Sequence, residues 1–278
     1  MNGYHLGDVI YGPDKKGHYP EKFYRPYSDY HNYIVAIPGN HDGDLDKLDG
    51  FMANFCNVSP SDAAVFKRAM PNQPGPYWHM KAPYLDLIGL FTNVDENIAS
   101  LKSAGPNANS QIDWLKERLK EIAKERKSSG TRKALVIGTH HPPYNRGLTT
   151  QGAGHPGNPT LVNQLEEAFT AAKLYPDAVL SGHSHNYQVD LRDLAVGTKT
   201  RTIPYVVCGA GGIGLQATST AIGNKVDDVT YVTAIRQYGY LTVSSSATTL
   251  RITFTQQDDT HRAPMHTISV DLATGKVT

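Results

Sequence analysis

The sequence predicts one α/β domain completed by a second sheet, and three observations support this prediction. Between residues 33 and 180, short apolar runs alternate with helical patterns, as they do in βα units around a parallel sheet. After residue 200 the pattern changes to one strand after another. No linker rich in proline or serine divides the chain, so residues 1–278 are interpreted as a single domain with a sizeable core.

The elements of the first third of the chain follow from local composition. Residues 12–32 are polar and rich in tyrosine, which indicates a loop and a short helix before a strand at 33–37. Residues 43–60 indicate a helix. Residues 70–83 contain four prolines, which lack the N–H group that a sheet needs, so they are predicted as a loop before a strand at 84–91.

The later elements follow from hydrophobic periodicity. From Ser110 the apolar residues recur at helical spacing, and a second helix is predicted to begin near Thr160. The remaining apolar runs are predicted as strands, at residues 134–137, 178–180, 203–208, 239–243, 250–255 and 267–272. Residues 251–255 alternate with period two, as a half-buried strand does.

The composition argues against several functional classes. The formal net charge is +1, which provides no basic patch for nucleic acid. No apolar run approaches the roughly 20 residues of a membrane span. No signal peptide is recognisable at the N-terminus. We expect a soluble protein, either cytoplasmic or secreted with its native N-terminus missing, and the oligomeric state is left open.

Four short segments are rich in metal-binding side chains, and the last three each follow an apolar run that indicates a buried strand. Ligands gather outside the carboxyl ends of strands in an α/β sheet, so these segments are expected to converge on one crevice. The pattern predicts a metal site, and more specifically a two-metal hydrolase. The segments are Gly7-Asp8-Val9-Ile10-Tyr11, Gly39-Asn40-His41-Asp42, His140-His141-Pro142-Pro143 and Gly182-His183-Ser184-His185.

The ligand types and their spacing suggest individual roles. The carboxylate of Asp8 has two oxygens, one for each of two cations. Adjacent side chains on an extended segment point to opposite sides, so only one ring of the pair His140 and His141 is expected to reach the metal. His183 and His185 lie two apart and face the same side, which suits neighbouring metals.

The second segment combines an amide, an imidazole and a carboxylate. Asn40 offers a neutral oxygen ligand, and Asp42 is expected to orient His41 as a hydrogen-bond acceptor. Carboxylate, amide and imidazole groups without thiolates favour Fe, Mn or Zn over a structural zinc knot.

Three further features each allow two interpretations, and only that of Tyr11 remains open. Tyr11 is either a phenolate ligand or a packed aromatic residue. Residues 209–212 are interpreted as a tight turn rather than a phosphate cradle, because the spacing of known phosphate-binding loops is missing. The acidic run from Asp42 starts like a calcium-binding loop, but Lys47 stands where glycine is needed and Ala53 where glutamate is needed.

Taken together, the four segments resemble the motifs of the calcineurin-like metallophosphoesterase superfamily, in the family's order from residue 6 to about 190. Tyr11 makes the first segment similar to that of the purple acid phosphatase branch. The resemblance implies a four-layer α/β/β/α sandwich of two mixed sheets flanked by helices. It also implies two metal ions, divalent or trivalent. Asp8 would bridge them, Asn40, His140 and His183 would complete one site, and His185, with Tyr11, would serve the other.

One feature departs from the family pattern. The family's first motif lies on a strand upstream of the first segment, whereas here nothing precedes Met1. We therefore expect an N-terminally truncated domain that lacks its first strand, has an exposed sheet edge and binds its second metal weakly.

The predicted function is hydrolysis of phosphate monoesters or diesters by a metal-bound hydroxide. The substrate would be a phosphorylated small molecule or protein. By the resemblance, His41 would hydrogen-bond the phosphate or protonate the leaving group, and Asp42 is predicted to act with it as a catalytic residue. Asn40 and His41 are predicted to bind the substrate, as is Arg146, which follows the His140 loop. The alternative is a catalytically impaired phosphoesterase fold that acts as a binding module. A purely structural β-rich interaction protein would leave the histidine clusters unexplained.

Overall fold

The computed structural model describes residues 2–12, 18–43, 48–57, 72–93, 99–102, 109–147, 155–196, 199–258, 260 and 262–278. Its strands are β1 (Gly3–His5), β2 (Ile34–Ala36), β3 (Trp78–Lys81), β4 (Leu85–Gly89), β5 (Ala134–Thr139), β6 (Ala178–Ser181), β7 (Tyr187–Val196), β8 (Lys199–Cys208), β9 (Lys225–Val226), β10 (Val229–Ile235), β11 (Gly239–Ser245), β12 (Thr249–Gln257) and β13 (Arg262–Asp271). Its helices are α1 (Asp49–Phe51), α2 (Ser110–Ser129) and α3 (Pro159–Ala172). Shorter helical turns occupy Pro20–Tyr24, Asn40–Asp42 and Met52–Cys56.

The strands form a large mixed sheet and two smaller sheets. The large sheet has the order β3-β4-β5-β6-β8-β7-β10-β9, and its central strands β4, β5, β6 and β8 are parallel. Strands β1 and β2 form a parallel pair, and β11, β12 and β13 form an antiparallel sheet. The parallel strands place their carboxyl ends at one edge, which is where polar loops can meet.

Three hydrophobic clusters show that the domain has four layers. Alternate residues of the central strands face opposite ways, as the strand period of two requires. On β5, Ile137 packs with α2 and α3, whereas Val136 packs with the β1–β2 pair and the sheet β11–β13. On β2, Val35 faces this same inner layer, whereas Ile34 packs with the helical turns around Phe23 and Phe55. The four layers are, in order, the helices α2 and α3, the large sheet, a second layer formed by β1–β2 and β11–β13, and the helical turns. The predicted α/β/β/α class is therefore confirmed.

The predicted strands from 33–37 to 267–272 are all present, and the described residues contain five further strands, β1, β3, β7, β9 and β10. Residues 70–83 were predicted as a loop, yet β3 lies within them. It forms because its edge position tolerates flanking prolines and because Trp78 is buried, with its Nε1 donating to the Ala36 carbonyl at 2.7 Å. Strands β7 and β10 were missed. On β7, Gln188 and Asp190 are buried polar residues that interrupt the apolar pattern.

The predicted helix at 43–60 is observed as α1 and the turn that follows it, while residues 44–47 and 58–60 lie outside the described residues. Residues 13–17 of the predicted loop 12–32 also lie outside them. Within the described ranges, no helix is both long and apolar enough to cross a membrane.

Candidate metal centre

The carboxyl ends of two parallel strand pairs meet above the inner hydrophobic layer. Asp8 follows β1 and Asn40 follows β2, while His140 and His183 follow β5 and β6 of the facing sheet. All four side chains are buried. The structure therefore brings together the four residues that the sequence predicted as ligands of one ion.

The ligand atoms of these residues are spaced as ligands of one ion would be. Asn40 Oδ1 lies 3.0 Å from both His140 Nε2 and His183 Nδ1, and these two nitrogens are 3.2 Å apart. Asp8 Oδ2 lies 3.3 Å from His140 Nε2. Ligands about 2.1 Å from a tetrahedral ion are themselves about 3.4 Å apart, which matches these separations.

Glycines and strained backbone make this close approach possible. A Cβ atom on Gly39 would lie 2.2 Å from Asp8 Oδ1, and one on Gly7 would lie 2.3 Å from His140 Nδ1. Asp8 and His183 both have positive φ, 52° and 63°, which non-glycine residues seldom adopt. Such strain persists where the surrounding structure enforces it, and functional sites are where it concentrates.

The hydrogen bond behind His140 shows that the group suits a cation. His140 Nδ1 lies 2.8 Å from the carbonyl oxygen of Leu6. A carbonyl can only accept, so Nδ1 donates and the neutral ring presents the lone pair of Nε2 to the cluster. That lone pair then faces Asn40 Oδ1, another acceptor, at 3.0 Å. Two facing acceptors need a positive charge between them, supplied by a metal ion or by a proton on Nε2, so the residues fit a metal ion.

The pKa shifts point the same way. Burial opposes ionisation of Asp8, but the charge and hydrogen bond of His140 outweigh it and hold the pKa of Asp8 far below its usual value. Burial lowers the pKa of His140, but Asp8 outweighs it and the net shift is upward. Burial, followed by the charges of neighbouring imidazoles, lowers the pKa of His183. The group therefore favours an ionised Asp8, a neutral His183 and a positive charge between them.

Tyr11 and His185 lie together beside Asp8. The Tyr11 hydroxyl donates to Asp8 Oδ2 at 3.0 Å and lies 3.4 Å from His185 Nε2. His185 Nδ1 donates to the Gly214 carbonyl at 3.1 Å, so Nε2 of the neutral ring again faces inward. Burial and the nearby Asp8 raise the pKa of Tyr11, so its phenol stays protonated unless a cation binds. Asp8, Tyr11 and His185 thus frame a second, adjacent position.

Asp42 holds the first two loops in place. Its Oδ2 accepts the backbone N–H groups of Val9 at 3.0 Å and Gly39 at 2.8 Å, and its Oδ1 accepts that of Ile10 at 3.2 Å. Burial and the proximity of Asp8 raise the pKa of Asp42 to about 7. These hydrogen bonds make Asp42 a positioning residue for the backbone of both loops. That Asp42 also orients His41 in catalysis stays a prediction.

His41 lies at the edge of the group. Its backbone N–H donates to Asp8 Oδ1 at 2.9 Å, and its ring lies 4.5 Å from the Tyr11 ring, centre to centre. His141 Nδ1 lies 2.7 Å from Thr92 Oγ1, and its ring lies 4.4 Å from the His183 ring, centre to centre. Only His140 of the pair joins Asn40 and Asp8.

Arg146 is not brought into contact with the ligand group. Its Nε and Nη2 each lie 3.2 Å from Asp190 Oδ1. Asp190 is buried, which raises its pKa to about 6 against the opposing effect of Arg146. The guanidinium therefore compensates a buried carboxylate, and a contact between Arg146 and substrate stays a prediction.

The sequence analysis missed His155. Its ring lies 4.0 Å from the His183 ring, centre to centre, and its Nε2 lies 3.2 Å from Gln216 Nε2. Gln216 Oε1 also accepts the backbone N–H of His185 at 3.0 Å. His155 stands alone in a glycine-rich segment, so no local pattern marks it; its role arises from the tertiary fold.

Within the glycine-rich residues 209–212, Gly209 packs against the loop that carries His183 and His185. A Cβ atom on Gly209 would lie 2.2 Å from the carbonyl oxygen of Ser184, which sits between His183 and His185. Glycine at this position therefore lets the segment approach the loop that holds both histidines.

Comparisons with known proteins agree with this geometry. The model of the calcineurin-like phosphoesterase family matches residues 4–187, which include every residue of the two groups described above. No curated protein sequence matches the chain. The fold is similar to the solved structure of PhoD, with a TM-score of 0.56 and 14% identity, over 100% of this chain and 65% of that chain. At this identity the likeness shows the fold alone, and the chain spans less than two thirds of the length of PhoD.

Proposed function

The chain belongs to the calcineurin-like phosphoesterase family, and we propose that it hydrolyses phosphate esters using metal ions held by Asp8, Asn40, His140 and His183. The observation that supports this most strongly is the convergence of ligand atoms: those of Asp8, His140 and His183 lie within 4.8 Å of one another. A bound metal ion would lower the pKa of a coordinated water toward about 7 and neutralise charge on the phosphate oxygens.

The described ligands suggest two positions of unequal strength. Four ligands point to the first, one more than the three protein ligands of a catalytic zinc site, so a bound water there would make the ion five-coordinate. The second is framed by Asp8, Tyr11 and His185. We therefore propose one tightly held ion and one weaker ion, drawn from Fe, Mn or Zn, because the ligands are oxygens and imidazoles.

The protein's own side chains would bind and orient the substrate. His41 lies beside Asp8 through its backbone and beside Tyr11 through its ring, so its imidazole is near enough to hydrogen-bond a phosphate oxygen or protonate a leaving group. The ring of His155 lies 4.0 Å from that of His183, centre to centre. We propose that these two imidazoles flank the ester, with His41 as the general acid.

The position of Tyr11 suggests a further ligand for the second metal ion. In the purple acid phosphatase branch, which the first segment resembles, a tyrosine at this place binds a ferric ion. The Tyr11 hydroxyl lies between Asp8 and His185, where such an ion would bind. The proposal is that Tyr11 is a ligand of the weaker ion rather than only a packed aromatic residue.

The substrate is proposed as a phosphorylated small molecule or protein, and two chromogenic esters test the reaction. Purified protein is dialysed, loaded with Mn and assayed on p-nitrophenyl phosphate and on bis(p-nitrophenyl) phosphate. We expect metal-dependent release of nitrophenol from at least one ester, and His183→Ala as a control should abolish it. If the protein binds Mn and phosphate but turns over neither ester, the binding-module alternative replaces the hydrolase.

A further inference from the structure

A second polar group lies at the opposite end of strands β5 and β6. Asp177 directly precedes β6 and is fully buried. Arg132 Nη2 lies 2.7 Å from its Oδ1, Arg126 Nη2 lies 3.3 Å from its Oδ2, and Arg201 also pairs with Oδ1. We call these four residues the arginine cluster. Because β5 has six residues, at about 3.3 Å each, the cluster lies about 20 Å from His140.

The cluster contains more hydrogen-bond donors than acceptors. Each guanidinium has five N–H donors, and Asp177 also accepts the backbone N–H of Leu135 at 2.8 Å. Arg126 finds one further acceptor, the Lys133 carbonyl, at 2.7 Å. The Nε atoms of Arg126 and Arg132 are buried, and no atom of the described residues accepts a hydrogen bond from them. Buried donors of this kind need a partner.

The positive charge of the cluster is also under-compensated. Among the described ion pairs, the three arginines share Asp177 alone. Burial lowers the pKa of Arg126 and of Arg201, and the attraction of Asp177 does not restore either value.

Two other carboxylates interact electrostatically with arginines of the cluster, but each forms its hydrogen bonds with residues outside it. The negative charge of Asp86 acts to raise the pKa of Arg126, and the positive charge of Arg132 acts to lower the pKa of Asp271. Asp86 bonds His79 at 3.0 Å, and Asp271 accepts the backbone N–H of Thr274 at 2.7 Å. Neither bonds an arginine of the cluster.

The three arginines differ in exposure, which limits what could reach them. The side chain of Arg132 is 33% exposed, whereas those of Arg126 and Arg201 are 12% and 14% exposed. A flat partner surface would meet Arg132 alone. A small ion entering beside Arg132 would approach all three guanidinium groups.

We propose that the arginine cluster binds a small tetrahedral oxyanion, inorganic phosphate being the probe of choice. The planar, forked donors of arginine match the oxygens of phosphate, and the ion would supply both the missing acceptors and negative charge. This site is separate from the metal centre, and the inference does not depend on the proposed function.

The test counts phosphate ions by isothermal titration calorimetry. Inorganic phosphate is titrated into the Mn-loaded wild-type protein, into Arg132→Ala and into Lys133→Ala. The last variant removes the same charge from the adjacent position and is the matched control. We expect Arg132→Ala to bind one phosphate fewer than the wild type, or to bind it at least tenfold more weakly, while Lys133→Ala binds as the wild type does.

Because the readout is a difference, the result is independent of how many phosphates the metal centre holds. Equal stoichiometry and affinity in wild type and Arg132→Ala would overturn the proposal and leave the arginines as partners of Asp177 only. Arg132→Lys keeps the charge but loses the fork, and intermediate weakening is expected. Near-ultraviolet circular dichroism checks that each variant is folded, and hydrolysis of p-nitrophenyl phosphate should be unchanged in all three.

Discussion

The two ends of strands β5 and β6 carry polar groups of opposite kinds. At the carboxyl end, hydrogen-bond acceptors converge: Asn40 Oδ1 and the ring nitrogens of His140 and His183 lie 3.0–3.2 Å apart. At the amino end, donors converge on Asp177 and two buried Nε atoms are left over. The first arrangement calls for a cation and the second for an anion. By the two proposals, one pair of parallel strands would position two ion sites of opposite sign.

The largest effect is expected from removing Asp177, the only anion in the described ion pairs of the arginine cluster. Asp177→Ala leaves three guanidinium groups without their shared partner, and loss of one member of a buried ion pair costs about 3–5 kcal/mol. Urea denaturation should show a loss of this size in the free energy of unfolding. Added phosphate should recover part of it, because the ion takes the place of the carboxylate.

Asp271→Ala is the control for that measurement. Asp271 is exposed and accepts bonds from Thr274, so its loss should cost far less than the loss of the buried Asp177. If the two variants lose the same small amount of stability, the arginines do not depend on Asp177 and the contrast between the two ends fails.

At the metal end, the largest expected effect is loss of activity. His140→Ala and His183→Ala each remove a ligand, and the rate should fall more than about 100-fold, beyond the loss expected for supporting residues. His141→Ala is the matched control, since His141 turns toward Thr92. Metal content by elemental analysis and rates on p-nitrophenyl phosphate measure both. If His141→Ala inactivates the protein while His140→Ala does not, the assignment of ligands is reversed.

A smaller effect is expected from a substitution of Asp42, which holds the loops that carry Asp8 and Asn40. Asp42→Asn keeps the size of the side chain but turns one acceptor into a donor that faces backbone N–H groups. Metal affinity should fall about 10–100-fold while the four ligands remain. Competition with a chelator measures this affinity, and an unchanged value would show that the loops keep their place without Asp42.

The smallest effect is expected at Tyr11. Tyr11→Phe keeps the ring beside His41 but removes the hydroxyl that faces Asp8 and His185. The weaker ion should be lost, the tighter ion retained, and the rate reduced by less than about tenfold. Any visible charge-transfer colour of an iron-loaded sample should disappear. A colourless, fully active protein whose metal content is unchanged by Tyr11→Phe would make Tyr11 a packing residue.

The two ends also differ in how far the sequence predicts them. The ligands Asp8, Asn40, His140 and His183 stand in short segments that follow apolar runs, so local pattern and strand-end geometry suffice to find them. The arginine cluster has no such signal. Its arginines come from the end of α2, from the segment before β5 and from the start of β8, and only the parallel register brings them together.

The same distinction explains the other differences between sequence and structure. The central strands were predicted because their residues are apolar on both faces, whereas β7 was missed because buried Gln188 and Asp190 break the pattern. Those polar groups are accommodated by Arg146, which itself had been predicted to contact substrate. His155 joins the site through the tertiary fold alone. A local sequence pattern does not reveal polar pairs between residues that are far apart in the chain.

The central claim is that Asp8, Asn40, His140 and His183 share one metal ion. Anomalous X-ray diffraction from a crystal of the protein grown with zinc tests it directly. We predict a strong anomalous peak about 2.0–2.2 Å from Asp8, Asn40 Oδ1, His140 Nε2 and His183 Nδ1. A crystal in which zinc binds elsewhere, or in which these four atoms hold no ion at saturating zinc, would contradict the account.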